Sequence, residues 1–212
     1  MNEFINHFAD AANEINQTIP EFINNKNIYQ AGIGPYTEDR IVERVVNLLG
    51  NRGIIQNFHI KPNLQVRNQI GLSHYFGLNN NLATPDLVLN QSIIEFKICR
   101  PLRDNGDRED TWFKKVFEPN NQSYSTFLDV SKLCRFRDNY DTENFWNKWV
   151  VIIGFERQNE TDYRLDNYFP NLFNFISTEI MNLPCSEFLS TTRDIGNRHP
   201  HHQILKLYAF KY

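Results

Sequence analysis

Cysteine is scarce in this chain, with three residues in 212, at positions 99, 134 and 185. The number is odd, the spacing is wide and no Cys-x-x-Cys pair occurs. Neither a disulfide framework nor a cysteine-built zinc site is suggested. The cysteines are expected to be small buried residues in a reducing compartment. Long apolar runs are also missing. The longest, residues 149–155, falls far short of the roughly 20 residues that a membrane-spanning helix needs. Residues 1–12 have no basic start followed by an apolar stretch, so no secretory signal is expected, and a cytoplasmic location follows by elimination. There is no Gly-rich phosphate loop to support ATP dependence. There is also no excess of basic charge: 22 Lys and Arg stand against 25 Asp and Glu, a net charge of −3. A non-specific nucleic-acid binder draws most of its affinity from Lys and Arg on phosphates. The balance counts mildly against such a binder, yet it leaves room for a local basic cleft around an acidic centre.

What the chain does have is material for a core. It is 41% hydrophobic and carries 17 Phe and 9 Tyr. No internal repeat and no linker rich in Gly, Pro or Ser divides it, so one domain is expected over 1–212. Apolar residues at helical spacing (Phe4, Ile5, Phe8, Ala11, Ile15, Ile19) predict one or two short helices within 2–26. Thr37 suits a helix N-cap, followed by Glu38 and Asp39 where negative charge favours the helix dipole. Ile41, Val42, Val45, Val46, Leu48 and Leu49 form one stripe, and Gly50 and Gly53 end that helix. Residues 54–68 read as one long or two short strands around Pro62, and 112–117 as a helical turn. A helix is expected over 124–136, a buried central strand over 148–155, a helix over 168–183 and a last strand over 203–211. Mixed strands with covering helices give an α/β fold, a mixed central β-sheet flanked by helices.

The segment 84–97 carries the chemistry. Two β-rich runs flank Asn90-Gln91, and Asn tolerates the positive φ of a tight hairpin turn. A two-residue loop there pairs Leu89 with Ser92, Val88 with Ile93 and Leu87 with Ile94. Asp86 then lies opposite Glu95. Alternation puts Asp86, Val88, Ile93, Glu95 and Lys97 on one face, and Leu87, Leu89, Ile94, Phe96 and Ile98 on the other. Directly opposed residues have Cβ atoms only about 4.5–5.5 Å apart, and like charges so placed repel. Two carboxylates in an otherwise apolar strand pair call for a cation, and a hard ion such as Mg²⁺ suits them. Lys97 adds a cation to hold a water or a phosphate. Phosphodiester hydrolysis needs such a set. The bland alternative is surface charge on an exposed strand face.

Pro85-Asp86, eight intervening residues and Glu95-Phe96-Lys97 resemble the motif of the PD-(D/E)xK nuclease superfamily, which includes many restriction endonucleases and repair nucleases. The resemblance implies a restriction-endonuclease-like core over residues 37–155, with 1–36 a helical extension and 156–212 a C-terminal helix and strand. It implies that Asp86 and Glu95 are metal ligands, for Mg²⁺ with Mn²⁺ able to substitute, and that Lys97 positions or activates the attacking water. The superfamily often adds an acid from its first helix. At about 100° per residue Glu38 falls on the stripe with Ile41, Val45 and Leu49, whereas Glu43 points to solvent. Glu38 is the candidate, against the alternative that it only occupies a favourable first turn.

Arg100 and Arg103 follow the motif closely enough to reach a phosphate, or to pair with Asp104, Asp107 or Glu109. Ser131, Lys132, Arg135 and Arg137 offer a basic edge, or an ordinary exposed helix face. Lys132 joins Arg100 and Arg103 as a candidate DNA contact. Asn79-Asn80-Asn81 could read base edges, although a flexible loop is the default. His199-Pro200-His201-His202 reads as a solvated loop rather than a metal tract. The reading is a DNA endonuclease of type II restriction character, acting on double-stranded DNA and favouring a homodimer, with no membrane partner. A structure-specific, repair or phage-defence nuclease, or a non-catalytic binding module, is the alternative.

Overall fold

The computed structural model describes residues 1–24, 27–75, 83–109, 111, 112, 116, 125–171, 178 and 185–212. Helix α1 (Asn2–Thr18) buries Phe4, Ile5, Phe8, Ala11, Ala12 and Ile15 along one stripe. It stops at Ile19, which is extended (φ −83°, ψ 115°), as the ring of the following Pro20 favours. A short hairpin, β1 (Phe22–Asn24) and β2 (Asn27–Tyr29), follows in place of a second helix. Helix α2 (Glu38–Asn51) has Thr37 as its N-cap residue, without a side-chain capping bond. It buries Ile41, Val42, Val45, Val46 and Leu49.

Residues 54–68 depart from the expectation of strands only. They form a three-residue strand β3 (Phe58–Ile60) and then a helix, α3 (Leu64–Gln69), capped by Asn63, whose side chain accepts from the Val66 amide at 3.0 Å. That cap outweighs the β-rich composition. Strands β4 (Leu87–Leu89) and β5 (Ser92–Cys99) form the expected hairpin in the expected register, with Asn90 at φ 51°. Helix α4 (Thr126–Tyr140) crosses from β5 to β6 (Asn147–Glu156), which runs parallel to β5 and is buried along nearly its whole length. A single 3₁₀ turn (Leu165–Asn167) precedes β7 (Glu187–Asp194) and β8 (Ile204–Lys211).

The six-stranded sheet has the order β3-β4-β5-β6-β8-β7, mixed through its one parallel pair. The C-terminal strands therefore complete the central sheet rather than lying beyond it. Strand β7 escapes sequence reading because it is an edge strand of polar composition, half-buried at alternate positions. One face of the sheet packs Leu87, Leu89, Ile94, Phe96, Val151 and Leu207 against α1 and α2. The other packs Val88, Ile93, Val150, Ile152 and Phe210 against Phe127, Val130 and Leu133 of α4. The two-face alternation read from the hairpin is the one observed. Most of the helix expected over 168–183, Tyr124, most of the 112–117 turn and Asn79-Asn80-Asn81 lie outside the described residues. No helix among the described residues is long and apolar enough to cross a membrane. Cys99 and Cys134 are buried, Cys185 is half-buried, and all three are free thiols.

Candidate active site

Strand β4 has three residues and β5 has eight, so β5 runs on past its neighbour from Glu95 to Cys99. Two amides on that overhang, Phe96 and Ile98, have no β4 residue to bond, and a buried N–H must find an acceptor. Carboxylates supply it. Asp86 Oδ2 accepts from Phe96 N at 2.8 Å, and the Glu38 carboxylate accepts from Ile98 N. Glu38 reaches this point because α2 begins there with its apolar stripe already turned to the sheet. Asp39 is the next residue of that first turn. One carboxylate oxygen each of Glu38, Asp39 and Asp86 lies within 4.8 Å of the other two.

Behind this trio sits a buried charge cluster. Glu95 accepts from Tyr75 Oη at 2.5 Å and from Lys132 Nζ at 3.1 Å, and it feels the charge of nearby Asp86. Lys97 Nζ lies 2.7 Å from Asp129 Oδ2 and 3.8 Å from Glu38 Oε1. The other Asp129 oxygen lies 2.6 Å from Lys132 Nζ. Asp129 and Lys132 come from α4, whose crossover lays it on the same sheet face as Glu95. The strand pair, α2 and α4 thus converge on one point.

Four carboxylates (Glu38, Asp86, Glu95, Asp129) face two ammonium groups (Lys97, Lys132). The excess of negative charge in a dry place has visible consequences. Burial raises Glu38 to about 7, with Lys97 pulling against it and Asp129 adding to it. Burial also raises Asp86, partly offset by the Phe96 amide. Burial raises Glu95 most directly, against the pull of Lys132 and with the push of Asp129 and Asp86. For Lys97, burial works downward, but Asp129 and Glu38 outweigh it and hold the ammonium above its ordinary range. Lys132 is held up in the same way by Glu95 and Asp129.

The structure thus brings together Asp86, Glu95 and Lys97 of the hairpin and Glu38 of a separate helix. Glu95 is drawn back toward Tyr75 and Lys132, and Asp39 joins Glu38 and Asp86 on the open side. Lys132 points inward, its ammonium committed to Glu95 and Asp129. Arg100 donates to Gly34 O at 2.6 Å and lines a groove of about 390 Å³ with Tyr29, Ile98 and Trp112. Arg103 pairs with Glu109 at 3.3 Å and Arg137 with Asp138 at 2.8 Å. Glu43 is exposed, as its helical position requires.

The histidine tract corrects the reading of a solvated loop. His199 and His202 are fully buried and stacked with centroids 4.0 Å apart. Backbone amides of His201 and His202 donate to His199 Nδ1, each at 3.0 Å, so the proton of His199 sits on Nε2, 2.7 Å from Asp104. The short spacing of His, Pro and His folds the segment back on itself, and its own amides satisfy the ring.

Asp129, Asp39 and Tyr75 are the participants that sequence reasoning missed. Asp129 had a signal: it shares a stripe with Thr126, Val130, Leu133 and Phe136, all buried, and a carboxylate on such a stripe calls for a partner. Tyr75 had none, because its position depends on an irregular turn tied down by Arg67, which donates to Tyr75 O and Ala83 O. Three carboxylates from two elements, half-buried to exposed and free of thiol or imidazole, are a hard-oxygen donor set of the kind that suits Mg²⁺ or Mn²⁺. No family model matches the chain, and no curated protein or solved structure shows significant similarity to it.

Proposed function

We propose that this protein is a Mg²⁺-dependent nuclease hydrolysing DNA phosphodiester bonds, with a core of the PD-(D/E)xK kind. The observation that carries the reading is the meeting of Glu38, Asp86, Glu95 and Lys97 at the overhanging end of β5, with more carboxylate than ammonium charge. Unbalanced buried charge costs stability, and a function that uses it accounts for its presence. A structural ion-pair network would pair its charges.

Glu38, Asp39 and Asp86 would hold the ion. When bound, Mg²⁺ lowers the pKa of a coordinated water and stabilises charge on the phosphate oxygens. The chain does the rest. The Phe96 and Ile98 amides fix the Asp86 and Glu38 carboxylates. Asp129 keeps Lys97 cationic and aimed toward Glu38, where the ammonium can meet a phosphate oxygen or orient the attacking water. Lys132 and Tyr75 hold Glu95 in place. Arg100, which lines a groove with Ile98, is the candidate for a flanking phosphate. We take the substrate to be double-stranded DNA, and the enzyme to be a homodimer of type II restriction character that cuts each strand with one site.

Plasmid DNA incubated with and without Mg²⁺ tests the proposal. Discrete fragments indicate site-specific cleavage; a smear indicates a repair or defence nuclease of low specificity. Mn²⁺ should replace Mg²⁺, and Asp86→Ala should abolish cutting. If no DNA or RNA is cut by wild type, and Asp86→Ala is indistinguishable from it, the catalytic reading fails.

A further inference from the structure

Lys61 stands apart in its backbone. Five described residues other than glycine have positive φ: Asn57, Lys61, Asn90, Asn144 and Asn159. Asn is among the side chains that adopt this conformation most readily, and lysine gains no such help. Lys61 is nevertheless held at φ 42°, immediately before Pro62. The turn is pinned by its own N–H, which donates to Asp86 O at 3.0 Å. Strain of this kind persists where surrounding structure imposes it, and it clusters at functional sites.

The strained turn delivers the Lys61 ammonium to the acidic trio. Its Nζ lies 2.6 Å from Asp39 Oδ1, with both side chains about half exposed. It also borders a groove of about 480 Å³ lined by Asp39, Glu43, Asn47 and Asp86. The trio is thus flanked by two lysines of different character. Lys97, on the buried side, is fixed by Asp129 and Glu38. Lys61, on the open side, pairs with one carboxylate among the described residues and is about half exposed.

We propose that Lys61 is a built-in counter-ion of the Glu38–Asp39–Asp86 trio, which a divalent cation must displace from Asp39 to bind. This rests on the nuclease reading above and adds a regulatory element to the same site. The ammonium neutralises the most exposed acid in the free protein, so that the trio stays compact at low cation concentration. A divalent ion on the trio then competes with a single positive charge a few ångströms away, and cation affinity is set below what three carboxylates alone would give. Exposed ion pairs are weak, so the exchange is easy and readily reversed.

The test measures binding of Mn²⁺ alone, by electron paramagnetic resonance, to the whole protein without DNA. Lys61→Met should tighten Mn²⁺ binding roughly three- to tenfold. Lys61→Arg, which keeps the charge, should stay near wild type. Asp86→Asn should bind at least tenfold more weakly. Thermal melting verifies that each variant is folded, and a Lys61→Met protein that fails to fold is replaced by Lys61→Gln. Unchanged or weaker Mn²⁺ binding in the neutral Lys61 variant, with wild type binding and Asp86→Asn impaired, overturns the Lys61 proposal and leaves the nuclease reading standing. Failure of wild type to bind Mn²⁺ overturns both.

Discussion

At the scale of residues, the site is a set of charges held where none would choose to be. Glu38 shows the cost most clearly, its carboxyl raised by burial to about 7 from the ordinary 4.5. A raised acid binds its proton more tightly in the folded than in the unfolded chain between those values. Stability is therefore lost as pH rises from 4.5 through 7, and the loss is complete above 7. In metal-free protein Glu38→Gln should accordingly be more stable than wild type at pH 8, by about 1–3 kcal/mol. The gap should close as pH falls toward 4.5. Urea unfolding at several pH values measures it. The same substitution should reduce cleavage, the usual exchange of stability for activity at a charged site. The candidacy of Glu38 was legible in the sequence, since 100° per residue put it on the sheet-facing stripe. Its partners were not. Lys97 lay within the motif, but Asp129 is an ordinary helical aspartate until α4 is laid across β5.

At the scale of elements, the hairpin of β4 and β5 sets the site. Asn90 at φ 51° closes a turn that pairs Leu87 with Ile94, and the shortness of β4 leaves Phe96 and Ile98 for the carboxylates. A slip of one residue would turn Glu95 and Lys97 to the α1–α2 face, among Phe8 and Val45. Asn90→Val puts a β-branched side chain at positive φ. It should cost about 1–2 kcal/mol, whereas Asn90→Gly should stay within about 0.5 kcal/mol of wild type. Denaturant midpoints decide between the two. This turn was readable in advance because the Asn-specific backbone and the two apolar runs agreed. Residues 54–68 were misread because composition favoured strands there, while a single Asn63 cap and the strained Lys61-Pro62 corner redirected the chain into α3.

At the scale of the whole molecule, the C-terminal strands and the histidine tract close the fold around the sheet. Burial lowers the pKa of His199 and, more strongly, of His202, whose Nε2 donates to Leu102 O at 3.0 Å. A lowered histidine remains neutral in the folded chain, while the unfolded chain takes up a proton below about 6.5. Its contribution is fully present above that value and is lost as pH falls through it. His202→Asn should therefore be least stable relative to wild type at pH 8. The deficit should shrink by up to about 1.4 kcal/mol per pH unit below 6.5, as followed by thermal melting. Periodicity, turn chemistry and motif spacing are local properties, so the sequence by itself determined α1, α2, α4, the β4–β5 register, the buried β6 and the acid–acid–lysine spacing. Which charges finally meet is not local. Strand order decided it: the parallel β5–β6 pair requires a crossover, and that crossover brings Asp129 and Lys132 onto the face of Glu95 and Lys97. The start of α2 brings Glu38 and Asp39 to the same strand end, and the strained turn at Lys61 adds the last cation. A carboxylate's partners depend on distances of a few ångströms between elements remote in sequence, and only the packed sheet supplies those distances.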